Sequence, residues 1–272
     1  RKGGVYAHLD LFDAIDWGLI IYDEVHLLPA PIFRFTADIQ SRRRLGLTAT
    51  LVREDGMEGE VFSLIGPKRF DVPWKEIESQ GYIAPADCVE VRVNLTDDER
   101  LNYATAEQED RYRYCSTTLT KHRVAIALAN KHKDEQVLVI GQYLDQLDRL
   151  SEELGVPIIK GDTPIKERER LFELYRTGEL KCLVVSKVAN FSVDLPDATI
   201  AIQVSGTFGS RQEEAQRLGR ILRPKSDGRT ARFYSIVARD TIDQDFAQNR
   251  QRFLAEQGYA YQIIDADEIL SA

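Results

Sequence analysis

The chain has 272 residues, 43% of them apolar and 29% charged, which is enough to bury roughly two ordinary cores and excludes intrinsic disorder. No apolar run approaches the ~18 residues of a membrane span, and Arg1-Lys2 leads into Gly3-Gly4 rather than a signal core, so a soluble, cytoplasmic protein is expected. A net charge of −8 excludes a uniformly basic nucleic-acid binder but not a local basic groove, and Cys88, Cys115 and Cys182 are too scattered for a disulfide framework or zinc knuckle.

The first element is Gly18-Leu19-Ile20-Ile21-Tyr22-Asp23-Glu24-Val25-His26, an apolar run that meets two adjacent carboxylates. Such a run bounded by glycine predicts a strand covered on both faces, and ligands of open α/β sheets sit beyond the carboxyl ends of such strands. A carboxylate there can hold Mg²⁺ on nucleotide phosphates while its neighbour orients or deprotonates the attacking water. Asp23 fits the metal role and Glu24 the water role; an ordinary acidic loop is the alternative. Leu45-Gly46-Leu47 is a second short strand, ending in Thr48-Ala49-Thr50. The first block fades near Pro67-Lys68-Arg69, and Cys88 to Val93 suggests a connecting strand. From Thr96 to about Thr120 the chain is polar and tyrosine-rich, with Asp97-Asp98-Glu99 placed like the first turn of a helix, so a small helical insertion or linker is expected.

The second block alternates strands and helices. Val137–Ile140, Val156–Ile159, Leu183–Val185, Ile200–Val204 and Phe233–Val237 are its strand candidates, which predicts a parallel sheet flanked by helices. Thr163 is a candidate cap and Pro164 a first-turn residue for a helix from Ile165 to Arg176, closed by Gly178. Ser210 with Glu213 signals the start of another helix that ends before Pro224. At 3.6 residues per turn Gln216, Arg220 and Arg223 share one face, and Ala215, Leu218 and Leu222 another. Arginines with few carboxylate partners after Glu214 suit a triphosphate; a solvated cationic face is the alternative.

Asp23-Glu24-Val25-His26, Thr48-Ala49-Thr50 and Gln216-Arg217-Leu218-Gly219-Arg220-Ile221-Leu222-Arg223 together resemble motifs II, III and VI of superfamily 2 helicases. Leu51-Val52-Arg53-Glu54-Asp55, the run Ser186 to Pro196 and the run Arg250 to Tyr259 narrow the resemblance to the XPB family of DNA helicases in its bacterial form. The resemblance covers nearly the whole chain and implies RecA-like motor domains that use ATP and Mg²⁺. It assigns Mg²⁺ binding through the nucleotide to Asp23, water activation to Glu24, and coupling of hydrolysis to DNA movement to His26, Thr48 and Thr50. Arg220 and Arg223 become arginine fingers, and Asp194 and Gln216 nucleotide contacts. Arg53, Glu54 and Asp55 are implicated in strand separation, with a surface ion-pair loop as the alternative. Gly161, Thr163 and Ser186 are placed beside the DNA backbone, with an ordinary capped connecting helix as the alternative, and Ser192 departs from the glycine of many relatives.

The domain reading is 1–80 for the carboxy-terminal part of a first motor domain, 81–120 for a connecting strand and short thumb, and 121–272 for the second motor domain. The chain contains no G-x-x-x-x-G-K-[ST] loop, so the first domain is expected to be incomplete and the isolated chain inactive. The expected activity of the full-length protein is that of a monomeric, nucleoid-associated, ATP-dependent 3′–5′ DNA helicase in repair, acting on single-stranded and forked DNA with a nuclease or repair partner. A duplex translocase that does not separate strands and a noncatalytic nucleic-acid-binding scaffold are the alternatives.

Overall fold

A computed structural model of the protein describes residues 12, 14–28, 36, 39, 41–48, 58–186, 198–206 and 230–271. The expectations for Thr50, Arg53, Glu54, Asp55, Asp194, Gln216, Arg220 and Arg223, and for the helix from Ser210, lie outside the described residues. The chain divides into two compact units, Arg1–Asp71 and Val72–Ala272.

In the first unit β1 (Ile20–Tyr22) and β2 (Arg44–Gly46) pair in parallel, with Ile21 opposite Leu45 and Tyr22 opposite Gly46. Helix α1 (Glu58–Ile65) packs beside them, and Arg44 donates to the carbonyl of Leu64 at 3.2 Å. Val25, Leu28 and Val61 form a small core with Tyr22, Leu64 and Ile65. The expected cover on both faces is not there: Leu19, Ile21, Leu45 and Leu47 are all exposed. Alternation along a strand explains this, since only the face toward the small core is packed among the described residues.

The second unit begins with α2 (Trp74–Ser79), followed by β3 (Ala86–Val93), α3 (Asp97–Thr105), α4 (Arg111–Ser116), α5 (Leu119–Lys131) and β4 (Val137–Gly141). It continues with α6 (Leu144–Leu154), β5 (Ile158–Ile159), α7 (Ile165–Arg176), β6 (Cys182–Ser186), β7 (Ile200–Gln203), β8 (Ala231–Ala238), α8 (Ile242–Glu256), β9 (Tyr261–Asp265) and α9 (Ala266–Leu270). The strands form one parallel sheet in the order β5-β6-β4-β7-β8-β3-β9. β4, β6 and β7 are almost wholly buried, as continuous apolar runs in a two-sided parallel sheet should be. Gly141 ends β4 where any β-carbon would lie 2.8 Å from Leu147 Cδ2, so its lack of a side chain lets α6 cross close to the strand.

Two expectations change. The strand Ala86–Val93, read as a connector, lies inside the large sheet, paired with β8 on one side and β9 on the other. The stretch from Thr96 to Thr120 forms α3 and α4, and it is not all surface: α3 is unburied, whereas α4 buries Tyr112 and Cys115 in the main core. Thr96 caps α3 in a reciprocal box with Glu99, and Glu99 also accepts from the Thr120 hydroxyl at 2.7 Å, fastening α3 to the start of α5. No helix among the described residues is long and apolar enough to cross a membrane.

Candidate functional site

The carboxylates Asp23 and Glu24 follow β1 directly, at its carboxyl end. Asp23 is exposed, and its Oδ1 accepts the amide of Glu24 at 2.9 Å. Glu24 adopts φ 49°, ψ 46°, a left-handed conformation that side chains with a β-carbon seldom take. Its consequence is a sharp reversal: Val25–Leu27 turns as a 3₁₀ helix, and Val25 N donates to Leu47 O at 3.0 Å. The turn thus folds onto the end of β2. Gly46 makes room, because a β-carbon there would sit 2.8 Å from Val25 Cγ2. Backbone strain held by surrounding bonds is a recurrent mark of functional sites.

His26 is only 1% exposed, and its Nδ1 lies 2.8 Å from Thr48 Oγ1 and 3.4 Å from Glu24 Oε2. The residues beyond the two strand ends are therefore in direct contact. Either tautomer of His26 can bond the Thr48 hydroxyl, which donates and accepts, but only an Nδ1–H can also serve the Glu24 carboxylate. Burial raises the pKa of nearby Tyr22, partly offset by Arg44, and the Tyr22 hydroxyl donates to the carbonyl of Thr36 at 2.8 Å. No group of three or more His, Cys, Asp or Glu that could hold a metal occurs among the described residues. An exposed carboxylate without partner ligands suits Mg²⁺ that is held chiefly by phosphate oxygens and water, not by a protein cage.

In the second unit Gly161 and Thr163 lie in the turn between β5 and α7. Thr163 is not the cap: Pro164 occupies that position, and the Thr163 hydroxyl accepts from Lys160 N at 2.8 Å. Proline fixes the entry angle of the helix and sets Thr163 one residue outside it. The guanidinium of Arg168 donates to the carbonyls of Lys160, Gly161 and Thr163 at 3.3, 3.2 and 3.1 Å. One side chain therefore shapes the turn that carries both expected DNA contacts. Gly178 closes the helix with φ 78°, as expected. Ser186 ends β6 and is buried, with no hydrogen-bond partner for its hydroxyl among the described residues.

Sequence reasoning missed a buried charged cluster around the residues just beyond β7. Lys121 Nζ lies 2.6 Å from Asp243 Oδ2 and donates to Val204 O at 3.2 Å, while Asp243 Oδ2 accepts Ala238 N at 2.9 Å. Arg250 NH2 is 3.8 Å from the other Asp243 oxygen, and all three side chains are buried. Nothing in the local sequence distinguishes these charges from surface ones; the one signal was that Arg250 opens a run matching the family.

The profile described as "ERCC3/RAD25/XPB C-terminal helicase" matches residues 77–271. The chain is 71% identical over 269 residues to a protein of Kineococcus radiotolerans named DNA 3′-5′ helicase XPB, covering 99% of this chain and 48% of that one. A protein of the same name from Mycobacterium tuberculosis is 70% identical over 270 residues, with 99% and 49% covered. The chain thus spans about half the length of the curated relatives it matches. Among solved structures, S. cerevisiae Dbp5 bound to RNA and ADP BeF3 superposes with a TM-score of 0.62 at 15% identity, over 96% of this chain and 67% of that one. That likeness establishes the RecA-like helicase fold. The chain belongs to the ERCC3/RAD25/XPB helicase family.

Proposed function

We propose that the full-length protein is an ATP-dependent 3′–5′ DNA helicase and that this chain contributes the hydrolytic carboxylates and the second motor domain. The observation that carries the reading is the meeting of the two strand ends in the first unit. Asp23 and Glu24 stand at the carboxyl end of a parallel strand, and His26 joins the second of them to Thr48 within 3.4 and 2.8 Å. In this reading Asp23 binds Mg²⁺ on the nucleotide, and Glu24 takes a proton from the attacking water. His26 passes any change in Glu24 to Thr48 and the Thr50 beyond it. Arg220 and Arg223 supply positive charge to the transferring phosphoryl group, with Asp194 and Gln216 as further nucleotide contacts. Mg²⁺ supplies charge neutralisation between the phosphates when bound.

DNA is the partner, single-stranded or forked, taken up by backbone contacts at Gly161 and Thr163 and opened by Arg53, Glu54 and Asp55. Backbone contact needs no net positive chain, because only the contacted surface must attract phosphate. Ser186 enters this reading through its main chain or as a support for the turn, given its buried side chain. Glu24→Gln in the full-length protein is the test. The amide keeps the shape but cannot take a proton, so nucleotide binding persists while turnover falls by at least ~10². Near-normal steady-state hydrolysis removes Glu24 from that role.

A further inference from the structure

Helix α6 carries a polar face beside the one that packs. Leu147 and Leu150 are fully buried in the main core. Asp145, Gln146, Arg149, Glu152 and Glu153 recur at helical spacing along another face, and together with the start of α5 they line a groove of about 570 Å³. On the α5 side it is bounded by Leu119, an apolar side chain left 57% exposed, and by His122. No residue given a role in the helicase reading lines this groove.

One lining side chain holds a polar atom that the fold does not use. Gln146 is only 4% exposed, and its Nε2 donates to the carbonyl of Ser116 at 2.7 Å. That bond fixes the orientation of the amide, because the reversed group would set oxygen against oxygen. Gln146 Oε1 is buried and accepts no hydrogen bond among the described residues. A buried acceptor left open beside a groove calls for a donor from outside. The surrounding side chains decide the charge of that donor. Asp145, Glu152 and Glu153 bring three carboxylates, against the guanidinium of Arg149. Arg113 offsets Asp145 at 3.2 Å, and His122 Nε2 lies 2.6 Å from Glu153 Oε2, yet the Glu153 side chain stays 58% exposed. Glu152 is exposed and in no ion pair among the described residues, and the turn before α4 adds Glu107, Glu109 and Asp110, all exposed. Such a surface repels phosphate and attracts a cation.

We propose that the groove between α6 and the start of α5 is a docking site for an arginine side chain of a protein partner. A guanidinium presents five donors in one plane, which suits an amide oxygen and neighbouring carboxylates together, and its methylene stem has Leu119 to lie against. An ammonium is a point charge and lacks that fork. The inference stands on the groove alone and is independent of the helicase reading.

The experiment titrates the full-length protein against a fluorescein-labelled Gly-Arg-Leu-Arg-Gly amide and reads affinity by fluorescence anisotropy, with the same peptide carrying lysine at both positions as the comparison. The arginine peptide is expected to bind at least ~3-fold more tightly than the lysine peptide. Gln146→Leu keeps the bulk and removes the open acceptor, so the arginine peptide loses about tenfold in affinity. Glu152→Gln with Glu153→Gln removes two charges from exposed side chains and costs about fivefold. Glu167→Gln with Glu173→Gln makes the same change of charge on α7 and is expected to leave affinity unaltered. Equal binding of the two peptides, or an equal loss from the α6 and α7 pairs, reduces the effect to general attraction between a cation and an acidic chain and overturns the inference. Failure of the unsubstituted protein to bind the arginine peptide overturns it as well. If Gln146→Leu unfolds for want of the bond to Ser116, the Glu152 and Glu153 variant decides, and unchanged affinity there is a refutation.

Discussion

Asp243→Asn is the perturbation for which the structure gives the clearest magnitude. The carboxylate lies 2.6 Å from Lys121 Nζ and 3.8 Å from Arg250 NH2, and Asp243, Lys121 and Arg250 are 0%, 0% and 2% exposed. An asparagine can still accept from Ala238 N, which now bonds Oδ2 at 2.9 Å. It cannot offset two buried cations, and with its oxygen toward Ala238 N and Lys121 its amide nitrogen faces the Arg250 guanidinium, donor against donor. Removing one partner of a buried ion pair costs about 3–5 kcal/mol, and the second cation places this case toward the upper end. With a urea dependence of about 2 kcal/mol per molar, the unfolding midpoint of the second unit moves down by roughly 2 M. Urea titration monitored by circular dichroism measures this. The double variant Lys121→Met/Asp243→Asn removes one uncompensated charge and is expected to recover at least ~2 kcal/mol relative to the sum of the single changes. A loss below ~1 kcal/mol for Asp243→Asn, or strict additivity in the cycle, refutes the claim that these charges depend on one another.

In the first unit Gly46→Ala puts a methyl group 2.8 Å from Val25 Cγ2 and is expected to cost about 1–3 kcal/mol, read as earlier proteolysis of Arg1–Asp71 than of Val72–Ala272. In the full-length protein Arg220→Ala or Arg223→Ala is expected to lower ATP turnover by ~10³ while the melting temperature changes little; unchanged turnover in folded protein makes the arginine face a solvated one. The Cys115 thiol is fully buried and its pKa is pushed up to about 11, first by burial and then by Asp243. The folded state therefore keeps a proton that the unfolded chain gives up near pH 8.5, so this contribution to stability is intact below that pH and is lost as pH rises through about 11. Unfolding midpoints between pH 8 and 11 test it, with a flatter profile expected for Cys115→Ala.

Much of the second unit was legible because continuous apolar runs such as Val137–Ile140 can only be central strands of a two-sided sheet once helices alternate with them. Thr96 with Asp97-Asp98-Glu99 announced α3 for an equally local reason, since a cap and its first turn are neighbours in sequence. The misreadings share a cause, which is that burial is decided by distant chain. Ile21 and Leu45 are as apolar as any core residue yet exposed, because what covers a strand is not written in the strand. Conversely Glu90 is buried in the middle of β3, where it pairs with Arg92 at 2.6 Å and with Gln251 from α8. β9 escaped notice because Tyr261–Asp265 is a half-exposed edge strand with a weak apolar signal.

The same non-local logic accounts for where the second unit begins. The run Arg250 to Tyr259, one of those that carry the resemblance to the family, works here as a fastening. Arg250 packs on Gly206, Gln251 holds Glu90, and Gln257 accepts Trp74 N on its side chain at 3.1 Å and Lys75 N on its main chain at 3.3 Å. Gly258 turns with φ 87° so that Tyr259 can be buried, with the Lys75 ammonium 5.0 Å from the centre of its ring. Helix α2 is thereby tied to the far end of the chain across 183 residues, and the second compact unit starts at Val72, just after the first block fades near Pro67-Lys68-Arg69. A sequence motif matches letters without saying whether they serve chemistry or packing. In this run the contacts of Arg250, Gln251, Gln257 and Tyr259 join parts of the second unit to one another, whereas Asp23 is exposed at the carboxyl end of β1 and Glu24, in a left-handed conformation beside it, sets its carboxylate 3.4 Å from His26. That contrast is the physical ground for seeking the chemistry there.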